Sequence, residues 1–168
     1  NALDAVTTGV SNTAVGYNTL TNNTTSNNTA VGNRAGEAIT TGDYNTAVGS
    51  RALDECTTGG SNTAIGGQAC DNLTTGSHNT AVGVNALDTL TTADGNTAVG
   101  YQTLESNTTA SNNAAIGKQA GYSVTSGSNS NLLGYRAGYG ITTGANNTCI
   151  GTEAGNYSTT ITTGAQNV

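Results

Sequence analysis

Asn45-Thr46-Ala47-Val48-Gly49 recurs unchanged as Asn96-Thr97-Ala98-Val99-Gly100, and in close variants as Asn62-Thr63-Ala64-Ile65-Gly66 and Asn147-Thr148-Cys149-Ile150-Gly151. The closing glycine falls at Gly16, Gly32, Gly49, Gly66, Gly83, Gly100, Gly117, Gly134 and Gly151, an interval of 16 residues once and then 17 residues seven times running. A fixed period of this length marks an array of stacked units in which each unit leans on its neighbours.

Working outward from the pentapeptide, each unit reads roughly N-T-A-V-G-x-x-A-(L/G)-x-x-Φ-T-T-G-x-x, with Φ apolar. That is too short for a pair of helices. Gly, Asn and Thr are poor helix formers, whereas Val, Ile and Thr suit strands. Two short strands joined by two turns fit the length, so each unit is expected to form one coil of an all-β, parallel β-solenoid (a β-roll). About nine 17-residue coils then make a single array over residues 1–168, a rod on the order of 45 Å long at a strand spacing of about 4.8 Å.

The composition agrees with stacking and disagrees with an ordinary globule. The 168-residue chain has 24 Gly, no Pro, Met, Trp or Phe, and 34% hydrophobic residues, too few for a core built on large aromatics. Disorder goes with high charge, and here only 8% of residues are charged. The net charge of -6 with four basic residues argues against nucleic acid as a partner. No apolar run reaches membrane-spanning length, and no leader pattern is present.

Aligning the coils assigns roles to columns. The residue before each glycine is Val15, Val31, Val48, Ile65, Val82, Val99, Ile116, Leu133 or Ile150, with no polar exception, and this column is expected to be the core. A second apolar column holds Val6, Ile39, Cys56, Leu73, Leu90, Val124 and Ile141, interrupted by Asn23 and Asn107. A small column, Ala35, Ala52, Ala69, Ala86, Ala120, Ala137 and Ala154, is expected to face outward and pack on another chain, making the protein an oligomer. Asn12, Asn28, Asn45, Asn62, Asn79, Asn96, Asn113 and Asn147 should stack as an amide ladder, and Thr-Thr-Gly segments such as Thr57-Thr58-Gly59 should turn the opposite corner.

The N-T-A-V-G and V-G-x-x-A segments resemble the head repeats of YadA-like trimeric autotransporter adhesins, and still more the N-T-A-V-G-Y-x-A-L repeats of predicted surface and phage tail-fibre proteins. The resemblance covers Ala2 to Gly164. It implies a left-handed roll, three chains about a common axis, and display outside the cell, on a bacterial surface or a virion, for attachment to a host protein or glycan. The adhesin-head unit is usually shorter than this one, the coiled-coil stalk and membrane barrel are absent, and Thr stands where that family often has Val.

Several columns carry side chains with chemistry. Asp4, Glu37, Asp54, Asp71, Asp88 and Glu105 align five residues after the glycine position. Of these, Glu37, Asp54, Asp71, Asp88 and Glu105 form a candidate cation stripe for calcium or magnesium, since both ions take oxygen ligands. The competing reading, a solvated acidic edge offset by Arg34 and Arg51, is favoured because one carboxylate per coil is a sparse ligand set, and no other cofactor is indicated. Thr13, Thr29, Thr46, Thr63, Thr80, Thr97 and Thr148 form a file of the kind that orders water on ice-binding solenoids, although the usual T-x-T pattern is missing.

Tyr17, Tyr101 and Tyr135 directly follow the glycine, and Tyr122 and Tyr139 fall near the C-terminal coils. As surface residues they suit contact with carbohydrate or protein, or packing between chains, the preferred reading. Cys56, Cys70 and Cys149 lie in three different columns and read as small buried hydrophobes, with a Cys56–Cys70 disulfide left open. His78, the single histidine, sits in a turn position, and no catalytic triad can be assembled around it.

Neither end carries a polar cap, so a segment of a longer fibre, or end-to-end stacking of copies, is expected. The sequence thus points to a non-enzymatic attachment fibre, with a purely structural filament or an ice-binding solenoid as the alternative.

Overall fold

The computed structural model describes residues 2–4 and 8–156. Val6, the Tyr157–Thr160 insertion and the chain ends at Asn1 and Asn167-Val168 lie outside the described residues. Among those described, each coil supplies one three-residue strand: β1 (Thr13–Val15), β2 (Thr29–Val31), β3 (Thr46–Val48), β4 (Thr63–Ile65), β5 (Thr80–Val82), β6 (Thr97–Val99), β7 (Ala114–Ile116), β8 (Asn131–Leu133) and β9 (Thr148–Ile150). The nine pair in parallel and in sequence order in a single sheet. Like stands over like at every step, as in Thr46↔Thr63, Ala47↔Ala64 and Val48↔Ile65. The chain is a β-solenoid.

The second strand expected in each coil is not formed among the described residues. After the glycine the chain runs through turns in which alternate residues take the left-handed conformation: Arg51 (φ 59°) and Leu53 (φ 52°) in one coil, Gln102 (φ 54°) and Leu104 (φ 52°) in another. Backbone bonds still tie this side coil to coil, with Arg51 N–H donating to Asn33 O at 2.8 Å and Leu53 N–H to Ala69 O at 3.1 Å. Bonds thus run from each coil to both neighbours. The corner glycine is required by crowding as well as by its φ of 137°. A Cβ on Gly49 would stand 2.6 Å from the Gly66 carbonyl carbon.

The core differs from the expected one. Val15, Val31, Val48, Ile65, Val82, Val99, Ile116, Leu133 and Ile150 point outward, and Ile65 and Ile116 are 40% and 46% exposed. The middle residue of each strand is buried instead in β2 to β9: Ala30, Ala47, Ala64, Ala81, Ala98, Ala115, Leu132 and Cys149. Side chains alternate faces along a strand, so Thr and Val share one face and Ala takes the other. The column expected outside, Ala35, Ala52, Ala69, Ala86, Ala120 and Ala137, is fully buried, and Ala154 packs partly against the core. A narrow coil filled from its turn side by Leu, Ile and Val leaves room for small residues beneath the sheet, and Leu132 fits in β8 where Gly121 and Gly138 leave the space open.

That filling follows a volume rule. Three of the four coils with Gly at the second left-handed position carry a β-branched residue three positions on, Gly36/Ile39, Gly121/Val124 and Gly138/Ile141, while Gly155 is followed by Ser158. The space above Gly36 is taken by Ile39 Cδ1 and Leu20 Cδ2, and that above Gly121 by Leu104 and Leu132. Asn23 and Asn107, the interruptions in the second apolar column, are buried and bonded. Asn107 accepts from Ala110 N–H at 2.8 Å and donates to Ala110 O at 3.0 Å, closing its own corner. Asn23 does the same around Thr25, where the 16-residue coil is one residue short.

The asparagine ladder forms, with a job more specific than stacking. Each side-chain oxygen from Asn12 to Asn113 accepts the backbone N–H of its counterpart one coil on, at 2.9–3.0 Å. From Asn28 to Asn113 the amide nitrogen donates to the corner carbonyl of the next coil, from Gly42 to Gly127, at 2.8–3.0 Å. Ser130 takes the asparagine's place in one coil and still accepts from Asn147 N–H at 3.2 Å.

Candidate functional site

Three surfaces carry the side chains that could meet a ligand. The first is the outer face of the sheet, where the aliphatic file described above runs beside the threonine file Thr13, Thr29, Thr46, Thr63, Thr80, Thr97 and Thr148. Among the described residues the hydroxyls of Thr29, Thr46, Thr63, Thr80 and Thr97 make no hydrogen bond. At the opposite corner the threonines are consumed by the fold. Thr24, Thr40, Thr57, Thr74, Thr91, Thr108 and Thr125 each donate to a backbone carbonyl of the next coil at 2.8–3.2 Å. The strand pattern is therefore T-x-V, with hydroxyls and methyls side by side. Ala114 and Asn131 interrupt the hydroxyl row.

The second surface is the acidic column. Arg34 bridges Glu37 and, at 3.1 Å, Asp54. Arg51 reaches Asp54 at 3.2 Å and Asp71 at 2.9 Å, so two arginines stitch three coils. Asp88 and Glu105 have no arginine in an ion pair, and the Asn85 and Gln102 side chains act on Glu105 to oppose the rise that burial causes. Asp54 and Asp71 side chains are only 2% and 3% exposed, and one oxygen on each of Asp54, Asp71, Asp88 and Glu105 is buried without a hydrogen bond.

Burial accordingly raises all four carboxyls above the usual range. Asp71 is pushed up to about 6, by desolvation first and then, against the pull of Arg51, by Asp54 and Asp88. Glu37, Asp54, Asp71, Asp88 and Glu105 are brought into one column as the spacing predicts, while Asp4 is exposed. No group of three His, Cys, Asp or Glu with the geometry to hold a metal forms among the described residues.

The third surface is the edge just past the glycine corner. Tyr17, Tyr101 and Tyr135 are exposed there, as expected. Tyr122 and Tyr139 occupy the same column as the acids, and their rings stack with centroids 5.1 Å apart and planes 6° from parallel. Lys118 Nζ lies 5.8 Å from the Tyr101 centroid, and Arg136 Cζ lies 5.3 Å from Tyr135 and 5.1 Å from Tyr139. Gln102, Gln119 and Arg136 follow one another up the column. Gln119 donates to Gln102 at 2.9 Å, and Arg136 Nε donates to Gln119 at 3.0 Å. The spacing showed the tyrosines but not the cations and amides that interleave them.

The remaining candidates are quiet. Cys56, Cys70 and Cys149 are all free and buried, so Cys56 and Cys70 form no disulfide. Desolvation pushes the Cys56 thiol up to about 11 and raises Cys70 and Cys149, which keeps all three protonated and unreactive. His78 is exposed in a turn with φ 61°. In comparisons with protein-family models, with curated proteins and with solved structures, nothing matches the chain.

Proposed function

We propose that the chain is a non-enzymatic length of an extracellular attachment fibre, a shaft that carries contact surfaces on a bacterial cell or virion. The unbroken register of nine rungs is the observation that carries this reading. Such an array grows by adding identical coils and lines up the same side chain at every step, which suits reach and multivalent contact. The resemblance to adhesin-head and tail-fibre repeats supports it.

Copies of the chain then associate laterally through the aliphatic file on the outer sheet face, as a trimer. This file, rather than the alanine column, offers the apolar area that a partner would cover. Light scattering of the purified chain tests it. The expected mass is about three times the 16.6 kDa chain, falling to that of a monomer on Val82→Asp with Val99→Asp, and a wild-type monomer overturns the trimer. Capture of the chain on cell surfaces or immobilised glycans and proteins tests attachment itself. Retention on none of them overturns that part.

The alternative, an ice-binding or purely structural solenoid, draws support from one feature: the free hydroxyls of Thr29 to Thr97 standing beside methyl groups on a charge-free face. It predicts thermal hysteresis abolished by Thr63→Tyr with the fold intact. Absence of hysteresis in the wild type rejects ice binding.

A further inference from the structure

Regular columns are what stacking requires, so a cluster of departures that the fold does not need calls for another cause. The column that holds a carboxylate in five consecutive coils from Glu37 to Glu105 switches to Tyr122 and Tyr139 in the next two. The corner column presents Lys118 and Tyr135 on these two coils and Tyr101 on the coil before them, and in the neighbouring column the amides Gln102 and Gln119 are followed by Arg136. Charge follows the same division. Of the four basic residues, Arg34 and Arg51 are neutralised by the acids, whereas Lys118 and Arg136 form no ion pair among the described residues.

The Arg136 guanidinium is pre-set for a ligand. Its Nε is fixed by Gln119, its plane is flanked by two tyrosine rings, and among the described residues neither Nη group has a hydrogen-bond partner. A guanidinium held this way loses little side-chain freedom when its open fork meets a carboxylate. Tyr101 and Tyr135, 47% and 40% exposed, stand two rungs or about 10 Å apart with Lys118 between them. Flat aromatic faces accept the C–H faces of sugar rings, and the Gln102 and Gln119 amides offer planar partners for hydroxyls. Glu105 and Glu153 bound the cluster on either side, which confines an anionic group to its centre. A polyphosphate backbone would need a longer run of cations than two.

We propose that the edge formed by Tyr101, Lys118, Tyr135 and Arg136, with the Tyr122–Tyr139 stack beneath, binds a carboxylated saccharide. The site rests on the attachment reading and specifies its ligand class. The carboxylate seats on the Nη fork of Arg136 near Lys118, and adjoining sugar rings lie along the tyrosines.

Calorimetry with the full chain tests it, using polygalacturonate and polysialic acid as carboxylated polymers and dextran and dextran sulfate as neutral and sulfated controls. Binding is expected for at least one carboxylated polymer and not for dextran. Arg136→Gln continues the glutamine column and should preserve the fold, yet it should weaken binding at least about tenfold. Tyr135→Ala should weaken it comparably, while Tyr44→Ala, an exposed tyrosine elsewhere, should leave it unchanged. Unchanged melting of the variants separates lost binding from lost fold. Failure of both carboxylated polymers overturns the proposal, as does equal binding by wild type and Arg136→Gln, or dextran sulfate binding that ignores Arg136. Capture on neutral sugars or proteins that is indifferent to Arg136→Gln would overturn this site and leave attachment standing. No capture on any surface would remove both.

Discussion

Ala47 and Val48 are neighbours in sequence and face opposite ways, and their division of labour contradicts the intuition that the larger side chain goes inside. Ala47→Val should overpack the coil and cost about 1–3 kcal/mol in urea unfolding. Val48→Thr should change the free energy of unfolding of the isolated chain by no more than about 0.5 kcal/mol. The reverse ranking would restore valine to the core. The clue was legible in the sequence. Thr46 and Val48 sit two apart and must share a face, and a threonine with no partner belongs with solvent. An unbroken apolar column misleads because a docking face and a core produce the same pattern.

The acids behave unusually at this scale. Asp71, pushed up to about 6 from 3.8, binds its proton more tightly in the folded chain than in the unfolded one. Its contribution to stability is therefore complete below about 3.8 and is lost as pH rises through about 6. The raised Asp54, Asp88 and Glu105 act in the same sense. The melting temperature should accordingly rise as pH falls from 7.5 to 5, and Asp88→Asn, which removes a half-buried charge with no ion-pair partner, should raise it at pH 7.5. A midpoint that falls over this range would contradict the burial of these carboxyls. The spacing brought the acids into one file, but only packing reveals that Asp54 and Asp71 are buried and Glu37, Asp88 and Glu105 half-buried rather than solvated.

At the scale of the element, the strand is only three residues long and cannot hold its register by itself. Register is set by what flanks it: the asparagine that locks onto the next coil and the glycine against which that coil rests. Asn62→Ala leaves Asn79 N–H and Gly76 O without their partners at a fully buried site, a loss of roughly 2–4 kcal/mol in denaturant unfolding. An effect below about 0.5 kcal/mol would show the ladder to be ornamental. The recurrence of Asn and Gly at fixed distance made both roles readable in advance. The turn side was not readable, because leucines such as Leu53 and Leu104 in left-handed conformations contradict their usual preference. Gly36, Gly121 and Gly138 alternating with leucine in that column were the available hint.

For the whole molecule, stability is a sum of nearly identical rungs and their interfaces, so length is adjustable in units of one coil. Deleting residues 50–66, a complete 17-residue period, joins Gly49 to Gly67 in register and should leave a cooperative fold melting within about 10 °C of the full chain. Deleting residues 50–57 shifts every downstream column and should abolish the transition. The circular-dichroism melt separates the two outcomes. The period, the parallel stacking and the array were legible from nine glycines alone, since no other architecture suits so short and so strict a repeat.

Double electron–electron resonance between spin labels on the exposed threonine corner, away from the proposed trimer face, tests the central claim most directly, with Cys56, Cys70 and Cys149 replaced by alanine. Labels at Thr41→Cys and Thr109→Cys stand four rungs apart, and those at Thr41→Cys and Thr143→Cys stand six apart. The stacked account predicts mean separations of about 19 Å and 29 Å, a constant step of about 4.8 Å per rung, with labels mobile at the surface. Separations that fail to scale with rung number, or labels immobilised inside the protein, would contradict it.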